Sequence, residues 1–348
     1  MHKIAVECRT STIVSRSYSL SALLRLIRPL RKAADGGAIQ LIERSTEQLL
    51  ADDGDDYDIL FVSKPKSHAN RDVVEKAKSR GAKVIVDVDD WMYRTPRYGK
   101  NLMTSPDPSH LHKVLALADA MTVSTTLLGQ VMGPLFDRPI SVLPYGFDFS
   151  ALEPASAPAG ASPRRIIIST MFTIALSSRL PDFSQAVRSF LDRNPDWQID
   201  FFAENPPKDA LGHERINVIA PVPFEQYLQI LGSGRYAFAI APLAGYEDED
   251  DILFNACKSP LKYIDYSANR IPGVYSRSPV FEAAIVNEST GLLVDNTTKD
   301  WLDAMSRMAG DPTLRNGIAA RSHADVHDRF NFDLSVAAIK DVIECAVS

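Results

Sequence analysis

Cysteine is scarce in this chain. It has three in 348 residues, Cys8, Cys257 and Cys345, with no C-x-x-C pair and no spacing that suits a metal or a disulfide framework. Such usage fits a reducing compartment, and the protein is expected in the cytoplasm. A basic surplus is missing too. Lys and Arg number 38 against 44 Asp and Glu, a formal net charge of −6, which excludes general nucleic-acid binding through bulk charge and leaves only local basic patches. No run of about 18 apolar residues could cross a bilayer, and the start, MHKIAVEC, reads as a strand rather than a signal peptide. Glycine-rich nucleotide loops are absent as well. A G-x-G-x-x-G would have to follow the first strand of a dinucleotide-binding half, but RTSTIVSRSYS follows Cys8 and MFTIALSSR follows Thr170, with no glycine in either. That argues against a nicotinamide or flavin enzyme. GxxxxGK[ST], HExxH and G-x-S-x-G are also missing, so a P-loop, a zinc-protease site and a Ser–His–Asp hydrolase have nothing to stand on.

What is present is a long alternation. Short runs rich in Val and Ile, at 3–8, 38–43, 58–63, 83–88, 120–124 and 140–144, are separated by helical patterns such as Asn70–Arg80, with Val73, Val74 and Ala77 on one face. Strands apolar throughout and spaced by helices imply a parallel sheet covered on both faces. The segment 151–164, ALEPASAPAGASPR, has no apolar period and reads as a linker. The alternation then restarts at 165–170, 198–204, 216–220, 236–243, 273–276 and 291–295, and ends in helices at Lys299–Ala309, Thr313–Arg329 and about Asp333–Ala346. The expected fold class is α/β, with two Rossmann-like doubly wound domains, 1–150 and 165–330, facing across a cleft that is the default ligand site. Residues 331–348 are expected to form a terminal helix that packs back on the first domain.

The second half also carries ordered motifs. Asp265-Tyr-Ser-Ala268, Ile271-Pro272-Gly273-Val274, Thr290-Gly291-Leu292-Leu293-Val294 and Asp311-Pro-Thr-Leu-Arg315 follow one another, and VSTTLLGQVM and VLPYGFDFS (142–150) precede the linker. In order and spacing this pattern, over most of residues 84–330, resembles the group 1 glycosyltransferases, a large retaining family with the GT-B fold. The resemblance implies a nucleotide-diphospho-sugar donor, such as a UDP- or GDP-sugar, held by the second half. It implies a saccharide, lipid-linked saccharide or small-molecule acceptor held by the first half, sugar transfer with retention, and no metal or other cofactor. A non-catalytic sugar-nucleotide-binding homologue, or an epimerase or hydrolase on the same fold, is the alternative.

Residue by residue, the second acidic position of the family's E-x7-E falls on Asp265, which the resemblance assigns to the donor ribose. The first falls on Cys257, a departure that removes a carboxylate from the donor-sugar region, with the acids of 247–251 close by in sequence. At the mouth of the expected helix stand Lys258, Ser259 and Lys262, with Pro260 suited to its first turn. A helix N-terminus with unpaired N–H groups and added cations suits a diphosphate. A solvated face is the plainer reading of two lysines four apart. Arg179 takes the position where the family sets a basic residue against the phosphates, with Ser169 the weaker choice, and Pro221 lies where it holds the base through backbone groups.

In the first half, DVDDW closes the fourth strand, and Asp87, Asp89 and Asp90 are expected to face the acceptor as base or hydroxyl-binding carboxylates, with helix capping as the alternative. The acidic run Glu247–Asp251 reads as a solvated loop rather than a metal site. His110 and His112 flank a helix start, and His323 and His327 are expected on a helix surface. The stretch 17–34, SYSLSALLRLIRPLRKAA, reads as a helix packing Leu20, Leu23, Leu24 and Ile27 on the sheet, with Arg25, Arg28, Arg31 and Lys32 along its other face. Peripheral contact with an anionic bilayer through that basic face is the sharper reading.

Overall fold

The computed structural model describes residues 1–7, 19–51, 56–65, 67–93, 108–151, 164–170, 180–203, 212–243 and 249–347. The linker expected at 151–164 therefore lies, apart from its two ends, outside the described residues. The first lobe holds strands β1 (His2–Glu7), β2 (Ile39–Arg44), β3 (Ile59–Ser63), β4 (Lys83–Val88), β5 (Ala120–Val123) and β6 (Ile140–Val142). They form one parallel sheet in the order β2-β1-β3-β4-β5-β6. The second lobe repeats the plan with β7 (Arg165–Ser169), β8 (Gln198–Phe202), β9 (Ile216–Ile219), β10 (Phe238–Ala241), β11 (Gly273–Ser276) and β12 (Leu292–Val294), parallel in the order β12-β11-β10-β7-β8-β9. Both sheets place their strands where the apolar runs predict them.

Period-2 alternation explains why both faces of each sheet are covered. In β3, Ile59 and Phe61 point into one cluster and Leu60 and Val62 into another on the opposite face. In β7, Ile166 and Ile168 face one side and Ile167 the other. Fully burying each such side chain is worth about 1.5–3 kcal/mol, so a one-residue register slip would forfeit several at once.

The first lobe's helices begin with α1 (Leu20–Ala22), which runs through a π turn (Leu23–Ile27) into α2 (Arg28–Asp35). Next come α3 (Thr46–Ala51), α4 (His68–Ser79), α5 (Pro108–Leu117) and α6 (Thr126–Met132). Helix α4 starts where Ser67 and Asn70 form a reciprocal capping box, which satisfies two otherwise orphaned N–H groups. All five residues of the π turn are buried. Leu23, Leu26 and Ile27 join the first lobe's core, Leu24 joins a cluster of the second lobe, and Arg25 is fully enclosed. This corrects the expectation that Arg25 lies on a solvent-facing basic stripe. Arg28 and Arg31 do reach the surface, but each faces a carboxylate, Glu225 at 2.8 Å and Glu43 at 2.6 Å.

The second lobe's helices are α7 (Pro181–Arg193), α8 (Phe224–Gly232), α9 (Glu249–Ala256), α10 (Leu261–Ala268), α11 (Pro279–Ala284), α12 (Thr298–Gly310) and α13 (Pro312–Arg329). The chain then crosses back. Phe147 N–H donates to Phe330 O at 2.7 Å and Phe332 N–H to Phe147 O at 3.0 Å, so two segments pass side by side between the lobes. Beyond the crossing, α14 (Phe332–Val347) lays Ile339, Val342 and Ile343 against Leu26, Ile27 and Leu30 of the first lobe. Among the described residues no helix is long and apolar enough to cross a membrane.

The crossing is tight because residue 146 is glycine. A Cβ there would meet the Ser335 hydroxyl and stand 2.8 Å from Phe332 Cα, and backbone cannot yield as a flexible side chain can. Gly146→Ala should therefore cost about 1–3 kcal/mol, as overpacking does, read as a lowered urea midpoint. A midpoint equal to the wild type's would mean that the crossing is looser than its contacts indicate.

Candidate functional site between the lobes

The C-terminal ends of β4 and β5 meet the C-terminal end of α9 and the N-terminal end of α10 where the lobes face each other. On the first lobe's side, the three aspartates of DVDDW have different surroundings. Asp87 has no exposed surface. Arg25 Nε and Nη2 donate to its two oxygens at 3.2 and 2.5 Å, and Thr122 Oγ1 donates at 2.7 Å. Arg25 also donates to Leu143 O. With its lone pairs engaged and no path to the cleft, Asp87 cannot meet an acceptor, and the expectation that it faces one is corrected. It is the counter-ion of a buried guanidinium, an arrangement that breaks expensively when one partner is removed.

Asp89 is also buried, 4% exposed. Tyr145 Oη donates to its Oδ2 at 3.0 Å, Lys64 Nζ stands 2.5 Å from its Oδ1, and Ser124 Oγ donates to its carbonyl at 2.7 Å. Tyr145 in turn lies under the Arg25 guanidinium, 5.4 Å from ring centroid to Cζ. Asp90 is the member of the trio that reaches the cleft, with 28% of its side chain exposed. It sits between two ammonium groups, Lys64 of its own lobe at 3.5 Å and Lys258 of the other at 3.8 Å.

Sequence reasoning passed over Lys64. It follows β3 with a left-handed backbone, φ 46°, a conformation uncommon for a side-chain-bearing residue and worth attention where it occurs. Burial pushes its ammonium below the usual lysine range; the neighbouring Lys258 charge acts in the same direction, while Asp90 and Asp87 oppose it. The one available signal was a lysine directly after the buried strand ILFVS, at the sheet edge where ligands bind. Glu7, at the same edge of β1, was also overlooked. It is fully buried and accepts both an Asn70 amide pair, at 2.7 and 2.9 Å, and the Thr46 hydroxyl at 2.5 Å.

On the second lobe's side, α10 begins with Pro260 at the N-cap, one position earlier than expected. No side chain caps it and no acid occupies its first turn, so its leading N–H groups keep their positive potential. Lys258 and Ser259 are half-buried at its mouth. Lys262, one turn in, places Nζ 3.1 Å from Ser169 Oγ at the end of β7 and 3.5 Å from Tyr227 Oη. The far end of α10 is closed by His323, whose Nδ1–H reaches the carbonyls of Ser267 and Ala268 at 3.2 and 3.1 Å. Expected on a surface, His323 is thus a helix cap.

Asp265 is 2% exposed. Burial raises its carboxyl to about 6 against the pull of Lys262. Among the described residues no group donates a hydrogen bond to this carboxylate, so a buried acid of the lobe's rim lacks the donors such a group ordinarily holds.

Cys257 is fully buried and packs among residues of the first lobe's core, and its carbonyl accepts from Thr125 Oγ1 of that lobe at 3.3 Å. Burial and the nearby Asp90 push its thiol up to about 12, so it is neither a nucleophile nor a ligand at neutral pH. Pro221 is exposed in the turn between β9 and α8. Arg179 lies outside the described residues, as do 244–248. The remainder of the acidic run corrects the expectation of a solvated loop, because Glu249–Asp251 open α9 and Asp251 is fully buried. Among the described residues no group of three or more His, Cys, Asp or Glu side chains is placed to hold a metal ion.

The raised Asp265 value is a stability statement. Ordinary aspartate, near 3.8, binds its proton less tightly than this folded site, at about 6. The folded state is therefore penalised progressively as pH rises from about 4 to about 6, and the full penalty persists above that. Asp265→Asn should raise stability at pH 7.5 by on the order of 1–3 kcal/mol and change it little near pH 4. Paired thermal melts at the two pH values check this; an equal effect at both would remove charge burial as the cause.

No protein-family profile matches the chain, and no curated protein sequence does either. Solved structures do. HepE of Anabaena, determined with UDP and glucose, superposes with a TM-score of 0.69 at 9% identity, covering 99% of this chain and 100% of its own. A sucrose-phosphate synthase from Thermosynechococcus elongatus gives 0.66 at 12% identity with both chains covered in full. A glycosyltransferase from Rickettsia africae gives 0.64 at 12%, covering 100% of this chain and 99% of its own. The two six-stranded parallel sheets, the cleft between them and the returning terminal helix therefore form the GT-B fold that these glycosyltransferases share.

Proposed function

We propose that this protein is a glycosyltransferase that moves a sugar from a nucleotide-diphospho-sugar to a saccharide acceptor, free or lipid-linked, with retention and without a metal ion. The observation that carries the reading is the rim of the second lobe: an uncapped helix N-terminus flanked by Lys258 and Lys262, with the donor-poor, buried Asp265 one turn further in. A diphosphate accepts hydrogen bonds and a ribose diol donates them, so the two halves of a nucleotide diphosphate match the two halves of that rim. Arg179 is proposed as a further cation against the phosphates, Ser259 as a hydroxyl donor at the mouth, and Pro221 as part of the turn that meets the base.

The chemistry follows from placement. Departure of the nucleoside diphosphate develops charge on its terminal phosphate, and the N–H groups of α10 together with Lys258 and Lys262 are already oriented to stabilise it. Ser169 and Tyr227 hold Lys262 toward the strand end rather than toward bulk water. Across the cleft Asp90 is the acceptor-side carboxylate, and Asp89, gripped by Tyr145 and Lys64, sets its position. The basic stripe forms no part of the proposal, since Arg25 is buried and Arg28 and Arg31 already pair with Glu225 and Glu43.

A second reading, a non-catalytic sugar-nucleotide-binding protein, is favoured by one observation. Cys257, buried and protonated, stands where the resemblance calls for glutamate. Product analysis with a panel of UDP- and GDP-sugars separates the readings. Sugar appearing on an acceptor supports transfer, sugar released to water points to a hydrolase, and binding without turnover supports the second reading.

Lys262→Ala should weaken UDP or GDP binding by about 1–3 kcal/mol, the size of a lost charge-assisted hydrogen bond; unchanged affinity by calorimetry would remove Lys262 from the site. Transfer should also persist in EDTA. Loss of activity restored by Mn²⁺ would instead require a metal at the cleft.

A further inference from the structure

Among the described residues, Asp90 alone of the three aspartates of its strand end touches both lobes. Its carboxylate lies 3.5 Å from Lys64 and 3.8 Å from Lys258, which places an anion between two cations carried on opposite sides of the cleft. Lys258 is steered there by its own lobe, since its ammonium stands 4.4 Å above the Phe254 ring, and the preceding residue is anchored by the Thr125 hydrogen bond and by burial of the Cys257 side chain. Two ammonium groups this close, one of them pushed toward its neutral form partly by the other, are stable together only around a negative charge. Asp89 supplies it to Lys64 at 2.5 Å within the first lobe, and Asp90, lying between the two lysines, is the carboxylate that Lys258 shares.

We propose that Asp90 is a resident counter-ion, and that the diphosphate of an incoming donor takes its place on Lys258. The inference rests on the reading of the second lobe as the nucleotide-sugar lobe. Lys258 stands at the mouth of α10, so a diphosphate on the helix N-terminus comes within its reach, and a phosphate oxygen with higher charge outcompetes a largely buried carboxylate 3.8 Å away. Asp90 is not left unpaired when this happens, because Lys64 remains beside it in its own lobe. Donor binding thereby breaks a contact between the lobes and hands Asp90 over to Lys64. The carboxylate facing the acceptor is then set only after the donor is in place. No bond is made or broken in this exchange; one ion pair replaces another.

The test is a double-mutant cycle read by calorimetry, with UDP and GDP as ligands and inorganic pyrophosphate as a base-free probe. Lys258→Ala should weaken binding about tenfold. Asp90→Asn should strengthen it roughly two- to fivefold, the worth of a partly exposed ion pair that no longer has to be broken. The gain should vanish when Asp90→Asn is made on top of Lys258→Ala, because the carboxylate acts through that lysine. Thermal melts accompany each variant, and Asp90→Ser serves where Asn lowers the melting temperature. A purely structural Asp90 would leave affinity unchanged or weaken it, and either result, with Lys258→Ala still weakening binding, overturns the counter-ion proposal alone. A gain that survives in the Lys258→Ala background overturns it as well. If Lys258→Ala leaves all three ligands bound as before, the placement of the diphosphate at α10 falls, and the proposal falls with it.

Discussion

Arg25 carries a full charge where the first lobe has no water to solvate it, and much of the cleft's geometry follows from how that charge is satisfied. Its guanidinium donates to both oxygens of Asp87 and to Leu143 O, and covers the Tyr145 ring. The interactions tie together three parts of the lobe: the π turn that carries Arg25, the fourth strand, and the segment leaving the sixth. Tyr145, fixed from above, then donates to Asp89, and Asp89 holds Lys64. A bidentate guanidinium is planar and rigid, so it transmits position as well as charge. The π turn that delivers it is the kind of helix irregularity found at functional sites, and here the wider turn buries five consecutive residues on three different sides.

Two of the contacts between the lobes differ sharply in kind. At the crossing, backbone pairs with backbone between Phe147 and residues 330–332, and Gly146 lets the segments approach. At the cleft mouth the contact is made by side chains: Cys257 among apolar residues of the other lobe, Thr125 to a carbonyl, Lys258 to Asp90. The first kind changes little with ligand or salt. The second includes an exposed ion pair that ions and phosphates compete for. One is backbone pairing that a ligand cannot replace; the other includes an ion pair that another anion can.

Much of the fold was legible because its signals are local. Apolar runs without polar alternation imply buried parallel strands, and all twelve fell within a residue or two of their predicted places. The rim of α10 was legible too, since a proline, two lysines and a carboxylate at fixed spacing describe one turn of helix and its entrance. What could not be read was pairing across distance. Arg25 looked like one of four basic residues on a helix face because periodicity assumes 3.6 residues per turn, and a π turn breaks that assumption. Asp87, Asp89 and Asp90 looked alike because they are alike in sequence; Arg25, Tyr145 and Lys258, 62, 56 and 168 positions away, make them different. Lys64 gave no periodic signal at all, being a single residue on a positive-φ corner.

The same separation explains how an acidic protein can offer a site for a doubly charged ligand. A net charge of −6 spread over the surface repels nucleotides weakly and at long range, and salt screens most of it within about 10 Å. The lysines at the cleft act at contact distance, beside a helix terminus and partly out of water, where each charge counts for several times more. Asp90 reconciles the two scales. Lys64 already leans on Asp89 at 2.5 Å, and Asp90 adds the carboxylate that lies between it and Lys258 of the other lobe. The anion that replaces it must carry more charge than one carboxylate and be able to lie along a helix N-terminus. A diphosphate meets both conditions. A chloride ion or a single carboxylate carries no more charge than Asp90 itself, so on the proposed reading the Lys258–Asp90 contact favours the more highly charged ligand.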